Sequence, residues 1–300
     1  MNQATDGSAG HWALGAGHSL RFCIVLGQRA AWPELVARTQ EVEALGFDGL
    51  NVVDHFFGLL DVMDPTHEAY TALAGLAMAT ERVRLGVMVC GNTYRNPTFL
   101  LKQAITVDHI SHGRVDFGVG TGWTEREHEA YSWDYPPVKE LVDRFAEALE
   151  IWDLLQSQER TMYQGTYYQL IDAPFEPKPL QQPRLPVLIG ASGPRMLRLT
   201  AKHADIWNAR GVPEVAGAGN RQLTELCREI GRDPNAIMRG CSVPLEAWAS
   251  PDAFAAKIDA YRAEGFTDFQ IPWPRTEPAR NVMRDVARNV LPGLRRSTNS

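Results

Sequence analysis

The stretch from Arg84 to Trp123, RLGVMVCGNTYRNPTFLLKQAITVDHISHGRVDFGVGTGW, decides the fold of the chain. Its first part is a run of Val and Leu too short for a typical helix, so we predict a strand over residues 83–90. Asn96-Pro97 then begins a segment with apolar residues at helical spacing, and residues 115–118 form a second apolar run that leads into glycines. A strand, a helix and a second strand form a right-handed parallel crossover, which brings both polar loops to the carboxyl ends of neighbouring strands. Ligands bind at that end in α/β folds.

The same alternation of short apolar runs and longer amphipathic segments continues on both sides of this stretch. Eight strands are predicted, over residues 20–26, 47–53, 83–90, 115–118, 186–190, 205–208, 237–243 and 267–272. Eight such units over about 280 residues have the size of a (β/α)₈ TIM barrel. The alternative is a doubly wound open sheet, which favours a phosphate-binding glycine motif after the first strand, and Leu26-Gly27-Gln28-Arg29 lacks that pattern.

One segment, residues 160–183, does not fit the alternation. Residues 163–168, YQGTYY, are typical of a small hairpin, and the proline-rich run that follows predicts an excursion over the surface. We therefore predict an α/β barrel with a hairpin insertion between its fourth and fifth strands.

Composition limits the class of protein. The chain has 300 residues, of which 44% are hydrophobic, enough for one large core. A net charge of −6 and a pI near 5.8 indicate no broad basic surface for nucleic acid or an anionic membrane. No apolar run approaches the roughly 18 residues that a transmembrane helix needs. Cysteines without a C-x-x-C spacing predict reduced thiols in a cytoplasmic protein.

Residues 1–19 contain Gly, Ala, His and Ser but neither the basic start nor the apolar core of a signal peptide. We expect them to be a disordered tail, and we expect residues 20–300 to form a single barrel domain.

A histidine on the predicted carboxyl face can carry chemistry. Asp54-His55 follows the second strand directly, and a histidine there can hydrogen-bond or exchange protons near neutral pH. A histidine held by Asp54 as an anchor of the loop is an equally good interpretation. No set of His, Asp and Glu has a metal-ligand spacing such as H-E-x-x-H, so no bound metal is predicted.

Two glycine-bearing loops follow the fourth and fifth strands. Residues 118–122, GVGTG, and residues 190–193, GASG, can approach a flat ring or a phosphate because glycine lacks the Cβ that blocks such an approach. A tight turn is the alternative for each loop, but two such loops in one barrel favour a large ligand. The amides of residues 190–193 precede a helix, which favours an anion.

Arginine and tryptophan side chains lie on the same face. Arg95 and Arg210 can each bind a phosphate or a carboxylate, and for Arg95 a salt bridge across the barrel rim is at least as good an interpretation. Trp123 and Trp207 end strands, where a planar cofactor or an apolar substrate can pack, although aromatic residues more often belong to the core.

These pieces occur in the order and at the spacing of a known family. The chain resembles the bacterial luciferase-like monooxygenase superfamily, in its coenzyme F420-dependent branch, along nearly its whole length. The motifs that carry the resemblance are Phe47-Asp48-Gly49, Val53-Asp54-His55-Phe56, Leu85-Gly86-Val87-Met88-Val89, Tyr94-Arg95-Asn96-Pro97, Asp108-His109-Ile110-Ser111-His112-Gly113-Arg114, Gly118-Val119-Gly120-Thr121-Gly122-Trp123, Gly165-Thr166-Tyr167-Tyr168, Pro186-Val187-Leu188-Ile189-Gly190 and Ala204-Asp205-Ile206-Trp207-Asn208.

The resemblance implies a barrel whose mouth holds a flavin or deazaflavin, with a cis non-prolyl peptide at Met88-Val89 behind the ring. It implies that Asp54 and His55 are the catalytic pair beside the reactive carbon. The residues expected to bind the cofactor are Met88, Val89, Cys90, Thr121, Gly122, Trp123, Gly190, Ala191, Ser192, Gly193 and Arg210. The sugar-phosphate dehydrogenases of this branch have Glu at the position of Trp123, so we expect a more apolar pocket and a substrate other than glucose-6-phosphate.

Three functions follow as hypotheses. The first is an oxidoreductase that transfers a hydride between coenzyme F420 and a small organic substrate, with the cofactor carrying the chemistry and the protein orienting it. The alternative is an FMN-dependent monooxygenase that uses O₂ and a separate flavin reductase, since the fold alone does not choose between them. A non-catalytic flavin-binding barrel ranks last, because such relatives lose barrel elements and this chain keeps all eight units. The resemblance also implies a homodimer.

Overall fold

The computed structural model describes residues 20–59 and 61–296, so the predicted disordered tail, residues 1–19, lies outside the described residues. The strands in chain order are β1 Arg21–Val25, β2 Gly49–Val52, β3 Arg84–Val87, β4 Cys90–Gly91, β5 Val115–Gly120, β6 Arg160–Gln164, β7 Gln169–Pro174, β8 Val187–Gly190, β9 Ile206–Ala209, β10 Met238–Ser242 and β11 Asp268–Pro272. Strands β1, β2, β3, β5, β8, β9, β10 and β11 pair in parallel around a closed ring, in which β3 pairs with β5 and β1 with β11. The predicted (β/α)₈ barrel is therefore confirmed.

Helices cover the outside of the barrel. In chain order they are α1 Trp32–Ala44, α2 Ala69–Met78, α3 Pro97–Ile110, α4 Glu125–Ala130, α5 Val138–Ser157, α6 Pro194–His203, α7 Pro213–Glu229, α8 Pro251–Ala263, α9 Glu277–Asp285 and α10 Leu291–Arg296. Side-chain caps help to fix the starts of α2, α3, α8 and α9. For example, Asn96 accepts a hydrogen bond from the amide of Thr98, and Ser250 accepts one from the amide of Ala253. No helix among the described residues is both long and apolar enough to span a membrane.

Three details differ from the sequence analysis or refine it. The predicted third strand is not continuous, because a cis peptide at Met88-Val89 separates β3 from β4. The space beside this break is tight, since a Cβ on Gly118 would lie 1.9 Å from the carbonyl oxygen of Val87.

Helix α4 was not predicted. The insertion is an antiparallel hairpin of β6 and β7, in which the hydroxyl of Tyr168 accepts a hydrogen bond from Asn92.

An ion network fills the amino-terminal end of the barrel. Arg21 is 1% exposed, and its Nη1 lies 2.7 Å from Oδ2 of Asp116 while its Nε lies 2.7 Å from Oδ1 of Asp268. Nη2 of Arg84 approaches the other oxygen of Asp116 at 2.6 Å. Burial alone would raise the pKa of Asp116, but Arg84 and Arg21 together hold that pKa below its usual value. The carboxylate of Asp116 is therefore charged, and the two arginines neutralise it within the barrel.

We expect Arg21→Ala to lower the free energy of unfolding by about 3–5 kcal/mol, because the buried carboxylate of Asp268 loses its cation and Asp116 loses one of the two arginines that contact it. Chemical denaturation monitored by circular dichroism measures the loss. Arg228→Ala is the control, since among the described residues Arg228 pairs with exposed Glu225 on the surface of α7, and its removal should cost less than about 1 kcal/mol. Equal, small losses in the two variants would contradict the assigned role of the network.

Candidate active site

A cavity of about 220 Å³ opens at the carboxyl end of the barrel, where the loops after β2, β4, β5, β8 and β9 converge. Most residues predicted for the site line it, namely Asp54, His55, Met88, Val89, Cys90, Thr121, Gly122, Trp123, Gly190, Ala191, Ser192 and Arg210. Gly193 is the predicted residue that does not line the cavity, and it caps the start of α6 instead. The structure adds Gly91, Tyr94 and Asn208, which the sequence analysis did not select, and Gly120, which lies within the predicted loop of residues 118–122.

Asp54 anchors the rim through both of its oxygens. Arg95 reaches Oδ2 with Nη1 at 2.8 Å and Oδ1 with Nη2 at 2.9 Å, and the amide of Gly91 donates to Oδ2 at 3.1 Å. Arg95 continues the link to Glu68 at the start of α2. Of the two interpretations offered for Arg95, the salt bridge across the rim is the one found. A bidentate, buried pair of this kind holds the loop after β2 against the loop after β4.

His55 contacts a different carboxylate from the one that the sequence suggested. Its Nδ1 lies 3.0 Å from Oε2 of Glu127, a residue of α4, and its ring meets the indole of Trp123 edge-on with 5.6 Å between the ring centres. The sequence analysis offered Asp54 as the residue that holds His55. This is wrong, because the carboxylate that contacts the His55 ring is that of Glu127. Glu127 was missed because α4 looks in sequence like an exposed run of charges, E-R-E-H-E.

Glu127 is 0% exposed and accepts several hydrogen bonds at once. Besides His55, the hydroxyl of Tyr94 donates to Oε2 and the amide of Phe56 donates to Oε1 at 2.6 Å. Burial alone would raise the pKa of Glu127, but the hydrogen bonds from His55, Tyr94 and Phe56 hold that pKa below its usual value. The same contact and burial raise the pKa of the Tyr94 hydroxyl, which therefore remains a donor.

Aromatic rings line the rim beside His55. Phe56 packs edge-on against Trp133 with 4.5 Å between the ring centres, and Tyr94 stacks on His128 at 4.8 Å. Both nitrogens of His128 are used structurally, because they contact the carbonyl of Thr124 and the hydroxyl of Thr93. Trp123 is 57% exposed at the mouth of the cavity. Trp207, which the sequence analysis also placed there, is instead buried, with its Nε1 donating to the carbonyl of Ala191.

The Val89 side chain packs against the backbone of two glycines that line the cavity. A Cβ on Gly120 would lie 3.0 Å from Cγ2 of Val89, and a Cβ on Gly190 would lie 3.4 Å from the same atom. Gly122 has φ +88°, a conformation that favours glycine, and it turns the chain away from the space above. The loops after the strands thus enclose a slot into which a flat group fits against glycine backbone and the Val89 side chain.

Comparisons with known proteins agree with this architecture. The chain matches the family described as luciferase-like monooxygenase over residues 15–289. A protein of Segniliparus rotundus named F420-dependent glucose-6-phosphate dehydrogenase is 30% identical over 232 residues, which are 74% of this chain and 67% of the relative. The alignments with the next relatives of that name span only about half of their length.

Two solved structures illustrate the range of the fold. An F420-dependent secondary alcohol dehydrogenase in complex with an F420-acetone adduct superimposes with a TM-score of 0.79 at 16% identity, covering 89% of this chain and 98% of the other. The FMN-bound oxygenating constituent of 3,6-diketocamphane monooxygenase from Pseudomonas putida superimposes with a TM-score of 0.74 at 14% identity, covering 91% and 98%. At such identities the likeness establishes the fold alone.

We expect Arg95→Ala to lower the free energy of unfolding by about 3–5 kcal/mol, because Asp54 would remain buried without its cation. Glu68→Gln is the matched control, since Glu68 contacts the same guanidinium from a more exposed position and Gln can still cap α2, so the loss should stay below about 1 kcal/mol. Chemical denaturation compares the two variants. A loss for Arg95→Ala no larger than that for Glu68→Gln would contradict an anchoring role of the Asp54–Arg95 pair.

Proposed function

The chain belongs to the luciferase-like monooxygenase family, and from this membership and its cavity we propose that it is a coenzyme F420-dependent oxidoreductase. In this proposal the protein catalyses hydride transfer between the deazaflavin and a small organic substrate. The observation that carries the proposal is the glycine-based slot at the carboxyl end of the barrel with His55 at its edge. The names of the curated relatives support the choice of cofactor.

The residues present fit a tricyclic ring with a phosphate-bearing tail. Val89, Gly120 and Gly190 form one side of the cavity, against which a planar ring can lie. The two glycines leave room for the Val89 side chain, because a Cβ on either would approach its Cγ2 to 3.0 or 3.4 Å. Ala191, Ser192 and Gly193 lead directly into α6, where backbone amides and the helix dipole favour an anion. Arg210 lines the same cavity and forms no ion pair with another described residue, so its charge is available to a phosphate.

Coenzyme F420, when bound, supplies a carbon that accepts or gives up a hydride. The protein has the remaining tasks of orienting the substrate and moving a proton. His55 lies at the cavity, and in this proposal it takes the proton of a substrate hydroxyl or returns one to a carbonyl. Asp54 supports this proton transfer indirectly, because its ion pair with Arg95 fixes the loop that carries His55.

The substrate that we propose is an alcohol or carbonyl compound with an apolar body. Trp123 presents an exposed indole beside His55, and Phe56, Tyr94 and Trp133 continue the aromatic surface at the rim. No acid occupies the position of Trp123, which favours an apolar substrate over a sugar phosphate. The homodimer and the cytoplasmic location remain predictions, and sedimentation of the purified chain measures the first.

We expect the apo-protein to bind coenzyme F420 at least about tenfold more tightly than FMN in either oxidation state, a difference of ~1.4 kcal/mol. Fluorescence titration of each cofactor under anaerobic conditions measures both dissociation constants. Tighter binding of reduced FMN would instead support the monooxygenase that uses O₂ and a flavin reductase.

We expect His55→Ala to lower kcat by about 10²–10⁴-fold while the dissociation constant of coenzyme F420 changes less than about twofold, because the imidazole moves a proton and does not hold the cofactor. Steady-state kinetics and the same titration provide the two readouts. His112→Asn, an exposed position at the opposite end of the barrel, is the control and should leave both unchanged. Unchanged turnover of His55→Ala would remove His55 from the mechanism.

A further inference from the structure

We propose that Glu127 is the positioning residue of the site, which holds His55 in the tautomer with its proton on Nδ1 and so leaves Nε2 free to accept a proton from the substrate. The tautomer rests on contacts within this chain. Only the use of this His55 tautomer in turnover rests on the proposed function.

Hydrogen-bond donors surround both oxygens of the Glu127 carboxylate. Oε1 accepts from the backbone amides of Phe56 at 2.6 Å and Phe57 at 3.4 Å, so this oxygen faces the loop. Oε2 faces the His55 ring at 3.0 Å and the hydroxyl of Tyr94. The side chain is fully buried on the inner side of α4, so its geometry is set by these four groups and not by solvent.

The charge of the Glu127 carboxylate decides which nitrogen of His55 carries the proton. Burial alone would raise its pKa, but the hydrogen bonds from His55, Tyr94 and Phe56 keep that pKa below the usual value, so the group is ionised at neutral pH. An ionised carboxylate only accepts hydrogen bonds. A neutral imidazole that contacts it through Nδ1 must therefore carry its proton on Nδ1.

The other ring nitrogen of His55, Nε2, is the one that is available to a ligand. Nδ1 and Nε2 point to different sides of the imidazole ring, and His55 lines the cavity. Among the described residues Nε2 has no hydrogen-bond partner, so its lone pair is available to a ligand. This arrangement follows the logic by which a buried carboxylate orients a histidine base in hydrolases.

The consequence for the reaction is a balanced proton and hydride transfer. In the direction of alcohol oxidation, Nε2 of His55 would take the proton as the O–H bond of the substrate breaks. A bound deazaflavin would supply the acceptor for the hydride of the neighbouring C–H bond, so that a carbonyl product is left. The imidazolium that forms is then stabilised by the adjacent carboxylate of Glu127, which stays ionised. In the reverse direction the same proton returns to the alkoxide oxygen.

The simpler alternative is that Glu127 only fastens the loop after β2 through the amides of Phe56 and Phe57. Glu127→Gln separates the two roles. A glutamine can still accept those amides with Oε1, but its NH₂ group would then donate to Nδ1 of His55 and force the proton onto Nε2. The loop would remain fastened while the base would be presented in the wrong tautomer.

The experiment is ¹⁵N-histidine NMR of the apo-protein at about pH 8.5, where an ordinary imidazole is neutral. Long-range ¹H–¹⁵N spectra distinguish the two tautomers, and His55→Asn assigns the signal. We expect a proton on Nδ1 in the wild type, on Nε2 in Glu127→Gln, and on Nδ1 in the control Glu129→Gln, an exposed position on the same helix. A wild-type ring protonated on Nε2, or a tautomer unaffected by Glu127→Gln, overturns the proposal.

The second readout is kinetic. We expect Glu127→Gln to lower kcat with coenzyme F420 by about 10²-fold or more, with the dissociation constant of the cofactor within about twofold of the wild type, and Glu129→Gln to change neither. A fall in kcat with the wild-type tautomer would mean that Glu127 acts only on the loop, and this result overturns the proposal. If the wild type lacks turnover but shows the expected tautomers, the proposed function fails and the role of Glu127 is still supported. If Glu127→Gln does not fold, the wild-type tautomer alone decides.

Discussion

The guanidinium of Arg21 links three strands of the barrel wall, one of which is not adjacent to its own strand, and the remainder of the architecture depends on that link. It joins β1 to β5 through Asp116 and to β11 through Asp268, at the end of the barrel opposite the cavity. A closed parallel barrel sends every strand toward the same rim, so stabilising contacts at one end leave the other end available for ligands. The ion network fills the first end with charge that is neutralised internally. The second end can then remain open, with glycine where side chains would otherwise fill the space.

Two buried carboxylates at the open end have different partners and therefore different uses. Asp54 is paired with a permanent cation, Arg95, which neutralises it in every state of the protein. Glu127 is surrounded by neutral donors and by a histidine, which becomes a cation only when it takes up a proton. The first pair fixes the shape of the rim. The second places a carboxylate beside the His55 ring at the cavity, with no arginine or lysine among its described partners.

The sequence was sufficient for the barrel but not for the arrangement of the rim. The strands of a parallel barrel are buried on both faces, so each appears as a short apolar run, and all eight were predicted within a few residues. The cis peptide at Met88-Val89 came from family resemblance and not from any local signal. Trp207 was misplaced because strand-end tryptophans look alike until tertiary packing turns one inward.

Glu127 is the clearest case of a site residue that could not be predicted from the sequence. It is the middle of three glutamates in a helix of six residues, and the flanking Glu125 and Glu129 are exposed. Such a short segment has no reliable hydrophobic period, so nothing in the sequence distinguishes the buried glutamate from its neighbours. Only the contacts made after folding, by the loops after β2 and β4, give it a separate role.

The part of the cavity wall that is formed by the Val89 side chain and glycine backbone has a consequence for how this scaffold diversifies. Such a surface recognises flatness and thickness, and it is indifferent to whether a given ring atom is carbon or nitrogen. Selection between related redox carriers is therefore left to the few polar groups at the slot's perimeter and to whatever holds the tail. A lineage can exchange one carrier for another by altering those groups, without rebuilding the barrel beneath them.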